Sequence, residues 1–255
     1  MVLGVVMILI GLTLPGLAGA RRAARGTLCT GQVRLHGVAL AAYAIDQKDL
    51  WPYAPRPGFL DPFNANPLRL DSPYEPHAYT WVEDYWHAPL VRAYGLAPFD
   101  GTLDCPESTL LTDARDTMPM GNTRTWATSR NLSMAMFLHP DALVPERPSW
   151  LKKHFITQRV SDVAFPSTKA SLYELYPWHD PRIRWDGRTL LLMPPYLRTV
   201  AGCDGAVSIR NTGDCTPSIV FATQLAPRFD GAVQAQSLLD TFRFTPHGQR
   251  GFDWR

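Results

Sequence analysis

Apolar residues dominate the opening of the chain on every helical face. From Met1 to Ala20 (MVLGVVMILIGLTLPGLAGA) no side chain is charged, and the first charges are Arg21, Arg22 and Arg25. Beyond them the pattern becomes one-sided. Leu28, Leu35, Val38, Ala42 and Ile45 follow helical steps of seven, three, four and three residues, before the polar run Asp46-Gln47-Lys48-Asp49 and Trp51-Pro52. Spacing of this kind predicts the apolar face of an amphipathic helix. The simplest object is one long helix over residues 1–50, apolar all round in its first half. Pro15 removes an amide donor and crowds the carbonyl one turn back, which predicts a kink there. Gly4, Gly11 and Ala18 recur every seven residues. They form a small-residue stripe of the sort that lets apolar helices approach closely. Leu9, Leu14 and Leu17 supply apolar bulk in the same segment.

From Trp51 onward apolar runs are short. Leu190–Met193, Ala206–Ile209 and Ser218–Ala222 predict strands, and 81–94 and 234–242 predict short helices. Asp-Gly pairs at Asp100, Asp186, Asp204 and Asp230 are tight-turn signals. The expected fold is α+β: a helical segment (1–50) packed on a loop-rich antiparallel β-sheet head (51–255).

Composition narrows the class. The chain of 255 residues is 45% hydrophobic and 19% charged, so it should bury a core. With 23 Pro and 18 Gly it is not mainly helical, and its net charge of +2 offers no footprint for nucleic acid. Three structures fit the apolar opening: a buried core helix, a cleaved secretory signal ending at Ala18-Gly19-Ala20, or a retained membrane anchor. Twenty helical residues rise about 30 Å, the depth of a bilayer's hydrocarbon core. The segment has no basic residue before it and contains a Pro-Gly pair, neither of which suits a signal peptide. The anchor is preferred because the next thirty residues continue the segment as one long helix.

The stretch Leu14-Pro15-Gly16-Leu17-Ala18-Gly19-Ala20-Arg21-Arg22-Ala23-Ala24-Arg25 resembles a segment of type IV pilin-like pseudopilins. The likeness continues through Cys29, Val33–Leu40, Tyr43, Asp46 and Pro52. Cys105-Pro106, Val163–Ser167, Asp204–Val207 and the ending Gly248–Trp254 echo segments of such heads, the last two those of an H-X9-DG group. That group's histidine position is Pro194 here. The resemblance implies a structural subunit anchored in the bacterial inner membrane, with a periplasmic or extracellular head. Its partners would be other pilin-like subunits in a pilus-like or secretion filament, together with the assembly machinery. On a gapless alignment Met1 falls several residues inside the family's mature helix. A coding start upstream, supplying the leader and the assembly glutamate, is then expected.

The chemistry-bearing residues point away from catalysis. No G-x-S-x-G, H-E-x-x-H, P-loop or G-x-G-x-x-G motif is present. His179-Asp180 reads as loop polarity, and His36 as a packed helix residue. His77, Trp81, Trp86 and His87 either line a carbohydrate cleft or cover the sheet. The four cysteines, Cys29, Cys105, Cys203 and Cys215, lack C-x-x-C spacing, so no metal or cofactor is expected. Asp204, Asn211 and Asp214 make a poor calcium set. Cys203 and Cys215 either stay as thiols or, in an oxidising compartment, close a short loop as a disulfide worth about 3 kcal/mol. The competing class is an exported enzyme or carbohydrate-binding protein with a cleaved signal.

Overall fold

A computed structural model describes residues 2–52, 86–94, 101–107, 129–144, 156–174, 179–180, 196–216, 242 and 246–254. The expected strands at 190–193 and 218–222, His77, Trp81 and most of the helix at 234–242 lie outside the described residues. The first element is a helix, α1 (Val2–Asp46), continuous through Pro15. It stops where Lys48 and Asp49 adopt positive φ. Leu50 then bridges Arg159 and Trp51 N–H donates to Gln158 O, which ties the helix exit to the head. A short helix, α2 (Ala88–Tyr94), lies against α1, and Tyr94 Oη donates to Asp46.

Four strands, β1 (Arg130–Leu132), β2 (Ala170–Glu174), β3 (Leu197–Gly202) and β4 (Val207–Asn211), form an antiparallel sheet in sequence order. The fold is α+β. Only β4 was anticipated among the described strands. The expected turn at Asp204-Gly205 closes the β3–β4 hairpin: Gly205 sits at φ +82°, Asp204 accepts from Ala206 N–H, and Gly202 N–H donates to Ala206 O. Both faces of the sheet are covered. Leu132, Leu172 and Ala201 pack toward α1 in one cluster, while Tyr173 and Val200 join Phe242 and Trp254 in another.

The side of α1 that packs on the head is not its aliphatic stripe. Cys29, Val33, His36, Leu40, Tyr43 and Ala44 are buried, whereas Leu28, Leu35, Val38 and Ile45 are 55%, 56%, 62% and 80% exposed. At about 100° per residue the two sets lie on roughly opposite faces. The inner half of α1 thus carries two stripes, a buried one with a cysteine and a histidine in it, and an exposed aliphatic one. Close approach to the sheet is possible at Gly37, where an added Cβ would sit 3.9 Å from Ala201 Cβ.

Among the described residues, the side chains of the outer half of α1 are exposed. Leu3, Met7, Leu9, Ile10, Leu12, Leu14 and Leu17 are all exposed, and Gly4 and Gly11 have no neighbour near an added Cβ. Pro15 and Ala18 are exposed as well. Among the described residues no helix is long and apolar enough to cross a membrane. The side chains of Met1, Val2, Val5 and Ile8, also part of the uncharged stretch, lie outside the described set.

Of the two states open to Cys203 and Cys215, thiols or a disulfide staple, the structure has both as free thiols. Cys203 lies at the turn end of the hairpin. Cys215 Sγ sits 3.3 Å from Asn211 O, and Asn211 pairs with Leu197 at the opposite end. The length of β3 therefore separates them, roughly 15 Å or more, well beyond the ~7 Å limit between bridged Cα atoms. The loop is held by the turn bonds and by Asn211, whose side chain accepts from Gly213 N–H.

Candidate functional site: a buried cluster of two cysteines, a histidine and a glutamate

The strongest concentration of reactive groups among the described residues sits where α1 enters the head. Cys29 comes from the buried stripe of α1, Cys105 from the short turn after 101–103, Glu174 from the end of β2, and His179 from just beyond it. One ligand atom from each lies within 4.8 Å of the others. Cys29 Sγ donates to Glu174 Oε1 at 2.8 Å, Cys105 Sγ is 3.1 Å from His179 Nε2, and that nitrogen is 3.4 Å from Glu174 Oε1. Cys29, Cys105 and Glu174 are buried, and His179 is nearly so.

Several neighbours hold these groups in place. Thr199 N–H donates to Glu174 Oε2 at 3.0 Å, so one carboxylate oxygen is fixed by the sheet while the other faces the cluster. His179 Nδ1, turned away from the sulfurs, makes an ion-pair contact of 3.2 Å with Glu107 Oε2. Gly26, one turn before Cys29, gives the imidazole room: an added Cβ there would lie 3.8 Å from Nδ1. Arg130 is the cross-strand partner of Glu174 and is fully buried. Its guanidinium donates to Gln32 Oε1 at 2.7 Å, Thr102 O at 2.6 Å and Cys29 Sγ at 3.4 Å.

The electrostatics follow from burial and pairing. Contact with Cys105 and loss of solvent push the Cys29 thiol well above its ordinary value. Burial acts to lower His179, but its contacts with Cys29 and Glu174 outweigh that and hold it at about 10. Burial likewise acts to raise Glu174, and the bonds from His179, Cys29 and Thr199 more than offset it, leaving the carboxyl below its usual range. The cluster without a cation is therefore an imidazolium–carboxylate pair beside a neutral Cys29 thiol.

Cys105, His179 and Glu107 have the order of a nucleophile, base and orienting carboxylate. Cys105 is only 2% exposed, however, with a second thiol and a carboxylate crowding the same imidazole nitrogen. Among the described residues that sulfur is enclosed. Two thiols, an imidazole and a carboxylate at these separations are instead a complete set of ligands for a borderline-soft metal ion.

The remaining candidates are placed as follows. His179 and Asp180 are not loop polarity: His179 belongs to the cluster, and Asp180 is buried and accepts from Leu197 N–H. Trp86 and His87 are core residues, with the Trp86 ring 5.3 Å from that of His36, so they line no cleft. His36 is packed, as expected. Asp204 and Asn211 spend their side-chain oxygens on their own turns. Nothing in the spacing of the cluster residues announced the site, because its ligands come from four separate segments. The one local signal is Glu174 and His179, five apart at a strand end.

The chain matches no protein-family model, no curated protein and no solved structure.

Proposed function

We propose that this chain is a non-enzymatic, pilin-like assembly subunit whose apolar helix is held in the bacterial inner membrane, with its head in the periplasm or beyond. The observation that carries this reading is the apolar surface left uncovered on α1. Its outer half exposes Leu3, Met7, Leu12 and Leu14 at 78%, 68%, 73% and 59%, and the exposed stripe continues on the inner half through Leu28, Leu35, Val38 and Ile45. So much contiguous aliphatic surface is unstable in water. Lipid would cover the first part, where the sequence runs twenty residues without charge. Equivalent helices of neighbouring subunits would cover the stripe, while Gly4, Gly11 and Ala18, on the other side of the helix, would allow a second close contact and Pro15 would loosen the outer segment. Thr13 and Thr27 return their hydroxyls to the helix backbone, so neither adds an unsatisfied polar group to this surface. The head would then set what the filament surface touches.

Photo-crosslinking tests the assembly step. A photoreactive residue at Val38 or Leu35, on the exposed stripe, should give covalent ladders of subunits in membranes of the producing cell. The same group at Leu40 should cross-link only within the chain. Monomeric product from all three positions would contradict the reading.

A further inference from the structure

We propose that Cys29, Cys105, Glu174 and His179 bind one zinc ion that clamps the long helix to the head. Zinc is chosen by the donor set: two sulfurs, one imidazole nitrogen and one carboxylate oxygen, enclosed by protein, suit a four-coordinate structural site. Bonds of about 2.0–2.3 Å in a tetrahedron put ligand atoms roughly 3.3–3.8 Å apart. The observed contacts of 2.8, 3.1 and 3.4 Å, and the 4.8 Å limit on every pair, need only small side-chain adjustments to reach that geometry.

The surroundings match what a zinc site requires of its supports. A ligating histidine commonly presents its other ring nitrogen to a carboxylate, which fixes ring and tautomer. Here Nε2 faces the sulfurs, and Nδ1 lies 3.2 Å from Glu107 Oε2 without yet being aligned for a hydrogen bond, so a small turn of either side chain completes this support. The ligating carboxylate is oriented as well, through Thr199 N–H on its second oxygen. Charge within the ligand shell is compensated in part. Zinc with two thiolates, one carboxylate and a neutral imidazole carries a single excess negative charge, which the buried Arg130 guanidinium beside Cys29 offsets. The Glu107 carboxylate lies on the more exposed side of the imidazole. On binding, the two thiol protons and the imidazolium proton leave to solvent, as metal coordination requires. The ligated sulfurs could then no longer join as a disulfide.

The consequence is mechanical. The ion would tie α1 at Cys29, the 101–107 turn and the end of β2 together, at the point where the uncovered outer helix begins. This inference does not depend on membrane anchoring.

The test uses the full chain, purified in detergent without chelator and with thiols blocked at lysis in a parallel sample. Metal analysis should give about one zinc per chain, and cobalt replacing it should show thiolate-to-cobalt charge-transfer absorption. Cys105→Ser and His179→Gln should lose the metal, while Cys203→Ser and Cys215→Ser should keep it. Glu107→Gln should keep the stoichiometry but weaken zinc about 10- to 100-fold in chelator competition. Should the ligand variants fail to fold, the wild-type cobalt spectrum and Glu107→Gln still decide. A folded wild-type chain that takes up no zinc, cobalt without a sulfur charge-transfer band, or a Cys29–Cys105 disulfide in the blocked sample would each overturn the proposal.

Discussion

Replacing Leu40 and Leu35 separately by alanine asks which side of α1 supports the head. The two leucines are of one type, on one helix, five residues apart. Leu40 is 2% exposed, in the cluster with Val33, Leu132 and Leu172; Leu35 is 56% exposed on the opposite stripe. Leu40→Ala removes buried methyl groups and leaves a cavity, which costs about 2–5 kcal/mol. Leu35→Ala loses little packing and gains slightly in helix propensity, so its effect should stay within about 0.5 kcal/mol. For a unit of this size each kcal/mol moves the melting temperature roughly 2–4 °C. Thermal or urea unfolding of the full chain in detergent, followed by tryptophan fluorescence, should show a clear loss for Leu40→Ala and almost none for Leu35→Ala. Equal losses, or a larger loss for Leu35→Ala, would refute the packing described for α1.

Further outcomes follow from the same structure. Gly251→Ala should be strongly destabilising, by about 3 kcal/mol or more, because its new methyl would land on the Pro246 carbonyl oxygen; soluble yield and unfolding midpoint check it. Asp253→Ala should cost about 3–5 kcal/mol, since it leaves the fully buried Lys169 ammonium, 3.6 Å from Asp253 Oδ1, without its counter-charge. Burial lowers the Lys169 pKa from 10.5 despite Asp253, so between that lowered value and 10.5 the unfolded chain holds the extra proton and stability gains as pH rises. Above about pH 9 the raised thiols of Cys29, Cys203 and Cys215 act in the opposite direction. The Lys169 contribution is therefore read as the difference in pH slope between wild type and Lys169→Met, and equal slopes would contradict it. Alkylation after unfolding without reductant, with peptide mapping, should find Cys203 and Cys215 unlinked.

Parts of this architecture are legible in the sequence because one local rule fixes each. The helix ends at a polar run that accommodates positive φ, and Asp204-Gly205 turns a hairpin because only a residue without a Cβ enters φ +82° freely. The strands β1 and β2 are not legible. They bury Arg130, Asn131, Ser171 and Glu174, polar residues whose partners lie far along the chain, so no alternation marks them. The packing face of α1 is not legible for a related reason. Its aliphatic stripe is the more hydrophobic, but the head buries the stripe bearing Cys29 and His36, where Arg130 and Glu174 can be matched. The ligand cluster combines both difficulties, since its members are scattered in sequence and brought together only by β1–β2 pairing and the helix.

The central claim is that the outer half of α1 lives in lipid, and alkaline carbonate extraction tests it most directly. Membranes from cells producing the full chain, and the same chain begun at Arg21, are washed at high pH and sedimented. The full chain should stay in the pellet until detergent releases it, with Met1–Ala20 still attached by intact mass, while the shortened chain should be found in the supernatant. A full-length chain released by carbonate, or a mature protein beginning at Arg21, would contradict the account.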